Sequence, residues 1–380
     1  MPDRIPYGRQ SIDEEDIAAV SDVLRSAFLT TGPAIPAFEH AITSACGAAH
    51  AVAVNSGTAA LHAMYFGAGI GPGDEIITSP LTFAATANAA LYLGASVRFS
   101  DVDAQTGNLD PALVERHIGP RTRAIVAIDY AGQPADYDAL RSIAERNGLL
   151  LLADAAHSLG ATDRGRSVGT LADASAFSFH PVKPITTGEG GAVVTADGRI
   201  ASRARRFRTH GITREAGEME RDDGPWFYEQ HDLGFNYRLT DLQAALGTSQ
   251  LRHLGRFVDR RREIAAIYDS QLADLAGLEL PTVREGVSPG WHLYVVMVRD
   301  ATKRRRFFER LQALGLGVQV HYIPVYAHPY YRRLGFRPGI CPIAEDRYAR
   351  SISLPIFPLL SDDELAKVIE RMRTAATEIL

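Results

Sequence analysis

The sequence predicts an α/β fold in which a mostly parallel central sheet is covered by helices on both faces, followed by a smaller C-terminal α/β domain. Between residues 51 and 195, short apolar runs alternate with amphipathic stretches, which is typical of the strands and helices of a parallel sheet. Further apolar runs recur after residue 290. The 380 residues are enough for two domains, which we predict at residues 1–245 and 246–380.

Two helices are predicted before the first strand. Ser11 and Glu14 have the spacing of a capping box, which predicts a helix from there to about Ala27. A turn containing Gly32 and Pro33 separates it from a second predicted helix at residues 36–46. Both helices belong to the predicted N-terminal segment of the large domain.

The strands of the large domain are predicted from apolar runs with helical stretches between them. They are residues 51–54, 75–78, 96–99, 124–128, 149–154, 174–179 and 192–195. The last two are joined by a loop that contains Lys183. The other connections are long enough to hold helices, as parallel neighbours require.

The second half of the chain predicts a linking helix and the smaller domain. Residues 240–272 read as one long helix with a possible break near Arg256. Strands are then predicted at residues 292–298, 317–322 and 351–354, and an amphipathic helix at 361–379 closes the chain.

The bulk composition narrows the classes of function. A net charge of -5 and a pI near 6.2 argue against a dedicated nucleic-acid binder. The only two cysteines, Cys46 and Cys341, match no zinc or redox spacing, which favours a reducing compartment. Residues 1–6 do not resemble a signal peptide, and no apolar run is long enough to span a bilayer. A cytoplasmic protein without membrane or nucleic-acid partners is therefore predicted.

Lysine is rare in this chain, which has 40 basic residues but only three lysines, Lys183, Lys303 and Lys367. The last two lie in a basic run and on a polar helix face, so we expect them at the surface. Lys183 lies among Pro, Val, Ile and Thr residues, with glycines close behind. Arginine keeps its proton in proteins, whereas a partly buried lysine can lose it and attack a carbonyl. Lys183 is therefore a candidate for Schiff-base formation; a surface-loop lysine is the alternative.

Other chemistry-bearing residues follow the predicted strands, where ligands of α/β sheets bind. Gly57-Thr58-Ala59 begins a helix, so its backbone N–H groups can bind a phosphate, although a simple helix cap gives the same pattern. Phe83 can stack on a flat ring or pack as a core or lid residue. Asp154 ends a strand where an unpaired carboxylate is costly, and His157 follows as a ligand-facing or a structural histidine.

These parts together predict a site for pyridoxal 5'-phosphate (PLP). The cofactor needs a phosphate cradle, an aromatic side chain against its ring and a carboxylate that keeps the pyridine nitrogen protonated. It also needs a lysine that forms the Schiff base and moves the proton. The chain offers a candidate for each of the four parts, and no metal is predicted.

Six motifs then match one known family in order along the chain. They are Leu-Thr-Thr-Gly-Pro at 29–33, Ser-Gly-Thr-Ala-Ala-Leu at 56–61, Asp-Ala-Ala-His at 154–157, Ser-Phe-His at 178–180 with Lys183, Thr-Gly-Glu-Gly-Gly at 187–191, and Gly-Phe-Asn-Tyr-Arg-Leu-Thr at 234–240. The chain resembles the DegT/DnrJ/EryC1/StrS family of sugar aminotransferases over essentially its full length. The resemblance implies a fold-type I PLP-dependent transferase.

The resemblance also implies roles for the matching residues. Lys183 would hold PLP and act as the catalytic base, Asp154 would pair with the pyridine nitrogen, and His157 would lie near the ring. The remaining implied cofactor contacts are Gly57, Thr58, Ala59, Phe83, Ser178 and Asn236. Among these, Phe83 would stack on the ring, and Asn236 would reach the phosphate in the neighbouring subunit. A homodimer with shared active sites is thereby implied.

Segments 129–132, 179–187 and 318–326 are most similar to the branch of C4 aminotransferases in the pseudaminic-acid pathway. That branch implies L-glutamate as donor and a UDP-linked 4-keto-6-deoxy-N-acetylhexosamine as acceptor. The UDP-4-amino-4-deoxy-L-arabinose branch is the nearest competitor, but it tends to have Asn at Pro184 and Lys at Asn236. Another nucleotide-sugar C4 or C3 aminotransferase is also open. A dehydratase is disfavoured by Lys183, and a non-catalytic PLP-binding regulator is the alternative of a different class.

Substrate contacts are expected from a separate set of residues. They are Tyr7, Thr31, Arg238, His321, Tyr322 and Tyr326. The last three can hydrogen-bond sugar hydroxyls or stack on uracil, although aromatic residues at strand ends also serve packing. Arg208 and His210 are further candidates to face the diphosphate or the glutamate carboxylates, with a solvated arginine as the alternative.

Overall fold

The computed structural model describes residues 4–380. Met1, Pro2 and Asp3 lie outside the described residues. They belong to residues 1–6, which were predicted not to form a signal peptide. The helices are α1 (Glu14–Arg25), α2 (Ala34–Cys46), α3 (Gly57–Gly67), α4 (Ala85–Tyr92), α5 (Pro111–Val114), α6 (Tyr137–Arg146), α7 (Gly198–Phe207), α8 (Asp241–Arg252), α9 (Leu254–Leu272), α10 (Arg304–Ala313), α11 (Pro329–Arg333), α12 (Pro342–Arg350) and α13 (Asp362–Ile379). The strands are β1 (His50–Val54), β2 (Glu75–Thr78), β3 (Ser96–Phe99), β4 (Thr122–Ile128), β5 (Leu150–Asp154), β6 (Thr162–Asp163), β7 (Arg166–Ser167), β8 (Ala174–Ser178), β9 (Gly191–Thr195), β10 (Ile212–Thr213), β11 (Glu229–Gln230), β12 (Leu278–Glu279), β13 (Val287–Ser288), β14 (Tyr294–Val298) and β15 (Ser351–Leu354).

A seven-stranded sheet forms the centre of the large domain, with strand order β1-β9-β8-β5-β4-β2-β3. Strand β9 is antiparallel to β1 and β8, and the other neighbouring pairs are parallel. The carboxyl ends of β1, β2, β4, β5 and β8 therefore meet at one edge. The predicted mostly parallel sheet is confirmed, and so is the lysine-containing loop between β8 and β9.

Alternate side chains of the strands face two separate apolar clusters. Along β1, Val52 and Val54 join the cluster under α3, α4 and α7, whereas Ala51 and Ala53 join the cluster under α2 and α6. This alternation explains why the strands read as continuous apolar runs: both faces of the sheet are covered by helices.

The smaller domain has a sheet of its own, with the order β12-β14-β15 and antiparallel pairing throughout. It packs with α9, α10 and α13 around a third apolar cluster. Helix α9 connects the two cores, because its Phe257 and Val258 join the cluster under the large sheet and its Ile264 and Ala265 join the third one. The boundary at residues 245 and 246 stays a prediction.

The N-terminal capping box was predicted at the wrong residues. Helix α1 begins at Glu14, and its capping box pairs Asp13 with Asp16 rather than Ser11 with Glu14. One oxygen of Asp13 accepts hydrogen bonds from the backbone N–H groups of Glu15 and Asp16, at 3.1 and 3.2 Å. Several residues here can cap a helix, and long-range packing selects between them, because Asp16 is buried against Gln250 of α8.

One prediction in the C-terminal half is confirmed and one needs correction. The long helix is interrupted at His253, between α8 and α9, three residues before the predicted break near Arg256. Residues 317–322 do not form a strand, since within the described chain Gln319 makes only an isolated bridge to Ser353. The carbonyl of His321 accepts a hydrogen bond from the Tyr130 hydroxyl at 2.6 Å instead of a neighbouring strand.

A fully buried arginine on α9 joins the two domains. Arg261 donates from one nitrogen to the carbonyl oxygens of Ile356 (2.8 Å) and Trp291 (3.2 Å) in the smaller domain. Its other terminal nitrogen donates to the carbonyl of Val182 in the β8–β9 loop, at 3.3 Å. Burial lowers the pKa of Arg261 to about 10, so the guanidinium stays charged at neutral pH. It thereby fixes the residue next to Lys183 against the smaller domain.

No helix within residues 4–380 has both the length and the apolar character that crossing a membrane would require.

Candidate active site

A cavity of about 450 Å³ lies at the carboxyl edge of the large sheet, where the smaller domain covers it. The structure brings most of the predicted site residues to its wall. They are Tyr7, Gly57, Thr58, Phe83, Asp154, His157, Ser178, Lys183, His321 and Tyr322. These residues come from six separated stretches of sequence, so the site is assembled by the topology of the fold and not by any one loop.

The turn from β1 into α3 forms one end of the cavity. Ser56 caps α3 by accepting from the backbone N–H of Ala59 at 3.1 Å, which leaves the N-terminus of the helix at the cavity. A Cβ atom on Gly57 would lie 2.8 Å from the Cβ of Ser178. Because glycine has no Cβ, Ser178 can pack closely against the start of α3, and an anion in the cavity can reach both the helix N-terminus and the Ser178 hydroxyl.

Asp154 supplies a buried carboxylate at the end of β5. Its Oδ2 accepts from the Thr86 hydroxyl at 2.6 Å, and its Oδ1 accepts from the backbone N–H of Ala156 at 3.2 Å. Burial raises the pKa of Asp154, while these two hydrogen bonds and the charge of Lys183 act in the opposite direction. A carboxylate in this setting favours a cationic partner in the cavity.

Lys183 lies half-buried in the β8–β9 loop, and the backbone N–H of this residue donates to the carbonyl of His180 at 2.9 Å. Burial lowers the pKa of its amine to about 8; the charge of Arg261 lowers it further, and Asp154 opposes the shift. The side-chain nitrogen lies 3.5 Å from Nε2 of His292. An amine with this pKa is partly neutral near pH 7, as a nucleophile or base must be.

Three histidines surround the lysine, and all are held neutral. Burial lowers the pKa values of His157 and His292 well below 6.5 and that of His321 to about 4, and the charge of Lys183 adds to each shift. Nε2 of His157 lies 3.0 Å from the Tyr322 hydroxyl, and Nδ1 of His321 lies 2.7 Å from the Ser353 hydroxyl. Nδ1 of His157 and of His292 are buried without a hydrogen-bond partner among residues 4–380.

Tyr326 was predicted as a substrate contact, and the structure contradicts this. Its ring is fully buried outside the cavity wall, and its hydroxyl donates to Glu345 at 2.6 Å. Arg208 is likewise structural, because it pairs with Glu39 at 2.6 Å and donates to the carbonyl of Ala53 at 2.7 Å. Long side chains at strand ends can turn either way, and their direction depends on packing that a single sequence does not reveal.

Four other predicted residues do not line the cavity within their own chain. They are Thr31, Ala59, Asn236 and Arg238. Ala59 lies behind the cradle and acts through its backbone N–H. Asn236 is exposed on a segment that forms a bridge with Thr209, and its carbonyl accepts from the side chain of Asn55, next to Ser56 of the cavity wall, at 3.4 Å.

The sequence interpretation missed three residues of the site: Ser56, Thr86 and His292. Thr86 carried a signal, because it is a lone hydroxyl in the alanine-rich helix α4, one turn after Thr82. Ser56 belongs to the stretch that predicts the phosphate cradle, but it was not named as a contact. His292 had no local signal, since it reaches Lys183 across 109 residues of sequence.

The residues of this cavity fit PLP. Gly57 brings the N-terminus of α3 and Ser178 to one wall, where both can contact a phosphate; Asp154 can pair with a protonated ring nitrogen, and Lys183 presents an amine of lowered pKa. Phe83 is largely exposed at the cavity wall and can cover one ring face.

Comparison with known proteins gives the same result over the whole chain. A sequence profile of the DegT/DnrJ/EryC1/StrS aminotransferase family matches residues 10–373. The chain belongs to this family. Spore coat polysaccharide biosynthesis protein SpsC of Bacillus subtilis is 41% identical over 374 residues, which is 97% of this chain and 96% of SpsC.

Solved structures extend the comparison to the fold. Helicobacter pylori PseC, an aminotransferase involved in the biosynthesis of pseudoaminic (pseudaminic) acid, is 34% identical with a TM-score of 0.93, covering 99% of this chain and 100% of PseC. The putative sugar aminotransferase Spr1654 of Streptococcus pneumoniae, in its PLP form, is 30% identical with a TM-score of 0.93 and full coverage of both chains. The fold-type I architecture and the PLP cofactor are thereby confirmed, and the chain is a PLP-dependent sugar aminotransferase.

The cradle predicts an effect of adding one methyl group. In Gly57→Ala, the new Cβ would overlap Ser178, and overpacking of this kind costs about 1–3 kcal/mol, so the Kd for PLP should rise roughly ten- to a hundredfold. Titration of the apoprotein with PLP measures this. Gly71→Ala is the matched control, since its Cβ would meet no atom within 4 Å. Equal Kd values for the two variants would contradict the cradle.

The Thr86 hydroxyl predicts a shift in pH dependence. Its hydrogen bond lowers the pKa of Asp154, so Thr86→Val should raise that pKa and protonate the carboxylate at higher pH. The acidic limb of the kcat/KM profile should move up by roughly one pH unit, as expected for loss of one charge-assisted hydrogen bond. Thr86→Ser keeps the hydroxyl and should leave the limb in place. Superimposable profiles for the two variants would argue against this role for Thr86.

Proposed function

We propose that the protein transfers the amino group of L-glutamate to C4 of a UDP-linked 4-keto-6-deoxy-N-acetylhexosamine, as in pseudaminic acid biosynthesis. The acceptor would be UDP-2-acetamido-2,6-dideoxy-β-L-arabino-hex-4-ulose. The observation that carries aminotransfer is the half-buried Lys183 amine, with its pKa of about 8, in one cavity with the buried Asp154 carboxylate. The full-length similarity to PseC supports this choice of acceptor.

Different residues of the chain carry out different parts of the reaction. Bound PLP supplies an electron sink for the bond that breaks at the amino-bearing carbon. Asp154 keeps a proton at the ring nitrogen, helped by the hydrogen bonds from Thr86 and Ala156. Lys183 takes the proton from the α-carbon of glutamate and, in the second half-reaction, delivers a proton to C4 of the sugar. His292, 3.5 Å from the amine, limits the positions that the lysine can adopt between these two tasks.

The polar and aromatic residues near the cavity mouth support a nucleotide-sugar acceptor. Tyr7, His321 and Tyr322 line the wall contributed by the N-terminal segment and the smaller domain, where they can bind sugar hydroxyls. A second cavity of about 590 Å³ adjoins it through Thr82, Phe83 and Tyr322 and continues to Tyr92 and Tyr330. Its apolar, aromatic wall suits the flat face of a nucleobase.

We also propose a homodimer with shared sites. Asn236 and Thr31 lie outside the cavity of their own chain, near exposed apolar side chains of Leu29, Leu233 and Phe235. The two segments adjoin, because Thr30 forms a bridge with Thr240. This surface is apolar and exposed, and it carries predicted site residues that do not line the cavity of their own subunit. Such a surface is typical of a two-fold dimer interface.

A cytoplasmic setting is part of the same proposal. It is supported by Cys46 and Cys341, which are buried and free.

The acceptor is tested with purified holoenzyme, L-glutamate and epimeric UDP-4-keto-6-deoxy sugars, with amino sugar and 2-oxoglutarate measured by mass spectrometry. The proposed acceptor should give the highest kcat/KM. Lys183→Ala should lose roughly a thousandfold or more, because it removes the general base. Lys303→Ala, which loses a surface lysine bonded to the carbonyl of Leu380, should keep full activity. If the enzyme prefers another sugar nucleotide, that compound replaces the proposed acceptor. If no amino donor gives a reaction, the result favours a non-catalytic PLP-binding regulator.

Subunit sharing is tested by mixing two inactive variants. Lys183→Ala and Asn236→Ala chains, unfolded and refolded together, should recover about a quarter of the activity, because half of the dimers are mixed and each mixed dimer has one intact site. A mixture of Lys183→Ala and Lys183→Arg should recover nothing. Verified mixed dimers without activity would contradict the proposed role of Asn236.

A further inference from the structure

Two carboxylates and an imidazole converge where α1 meets the junction of α8 and α9. Asp13, Asp16 and His253 each place one potential ligand atom within 4.8 Å of the other two. None of the three lines the active-site cavity. The cluster therefore needs an explanation separate from catalysis.

The helix cap uses only half of each carboxylate. One oxygen of Asp13 accepts the two N–H groups of the capping box, and Oδ2 of Asp16 accepts from the backbone N–H of Asp13 and from the side chain of Gln250. Oδ2 of Asp13 remains, 3.2 Å from Nε2 of His253. Oδ1 of Asp16 also remains, and it has no hydrogen-bond partner in residues 4–380.

The unpartnered Oδ1 of Asp16 is the stronger evidence for a ligand, because Asp16 is only 1% exposed. A buried carboxylate oxygen without a donor is costly. Nε2 of His253 is likewise buried and forms no hydrogen bond within the described chain. Two buried polar atoms without a hydrogen-bond partner thus belong to the same three-residue cluster.

The basic residues nearby do not satisfy the cluster. Arg256 approaches Asp13 to 3.7 Å, and Arg252 approaches Glu15 to 3.9 Å, beyond hydrogen-bond distance. Both arginine side chains are mostly exposed. The carboxylate of Glu15 itself lies 3.9 Å from Nε2 of His253, so a fourth potential ligand atom is close to the cluster.

We propose that Asp13, Asp16 and His253 bind a zinc ion. Two carboxylate oxygens and one imidazole nitrogen form a mixed oxygen and nitrogen ligand set, which suits zinc better than calcium or magnesium. Glu15 or water would complete a tetrahedral site. The ion occupies the point where the lone pairs of the buried atoms are free, and it balances the negative charge that the cap leaves over.

The ion would connect α1 to the start of α9. Gln250, which bonds Asp16, also donates to the carbonyl of Ser11 at 2.8 Å, so the site lies against the N-terminal segment. Tyr7 of that segment lines the active-site cavity. Zinc would thus stabilise the segment that carries Tyr7, at a distance from the cofactor.

The test uses PLP-loaded protein that has been stripped with a chelator and dialysed. Isothermal titration with zinc chloride should give one ion per chain, and zinc should raise the Tm of the wild type, because it binds only the folded cluster. His253→Gln and Asp16→Asn should each weaken zinc binding by roughly tenfold or more. His231→Gln is the control, since His231 pairs with Glu229 in an exposed segment with no third ligand. Anomalous diffraction at the zinc edge should place the ion among the three side chains.

Either of two outcomes would overturn the proposal. Zinc binding that is equal in wild type and His253→Gln would place the ion elsewhere, for example on the active-site histidines. A wild type whose Tm does not change with zinc would mean that the folded cluster binds no ion. His253→Gln keeps the buried Asp16, so the experiment stands even if Asp16→Asn fails to fold.

Discussion

The buried guanidinium of Arg261 is the contact on which the geometry of the site depends. It joins the carbonyl oxygens of Val182, Trp291 and Ile356, so the lysine loop of the large domain and two segments of the smaller one share a single cation. With no carboxylate among these hydrogen-bond partners, its charge is balanced by carbonyl dipoles alone. That residual positive potential also lowers the pKa of Lys183. One side chain thus holds the residue next to Lys183 in place and adds to the lowering of the lysine pKa, most of which comes from burial.

The charges around the cofactor cavity are arranged by burial more than by ion pairing. Asp154 opposes the loss of a proton from Lys183, while the desolvation of the amine favours it and is the larger effect. The three histidines stay neutral chiefly because burial lowers their pKa values, and the charge of Lys183 adds to each shift. Neutral imidazoles can accept as well as donate hydrogen bonds, which suits a site that binds two chemically different substrates in turn.

The sequence was most informative where the pattern was local. Strand β2 is predicted residue for residue, because its apolar run lies between clear turns, and Lys183 and Asp154 stand out against their surroundings. The site residues that are far from their partners in sequence were harder to predict. His292 reaches Lys183 through the packing of the smaller domain, and Thr86 reaches Asp154 across 68 residues. Tyr326 was misplaced because the same aromatic residue serves equally well in a core or in a cavity wall.

The shortage of lysine has a consequence for the handling of a reactive aldehyde. Free PLP condenses with any accessible primary amine, so a protein rich in surface lysines would capture the cofactor at many unproductive places. This chain has three lysine side chains, and one of the others, Lys303, is already bonded to the carbonyl of Leu380. Because guanidinium groups stay protonated and do not compete for the aldehyde, arginine gives the surface its positive charge without diverting the cofactor. Reductive trapping of the bound cofactor should therefore mark a single peptide, with little background from the rest of the molecule.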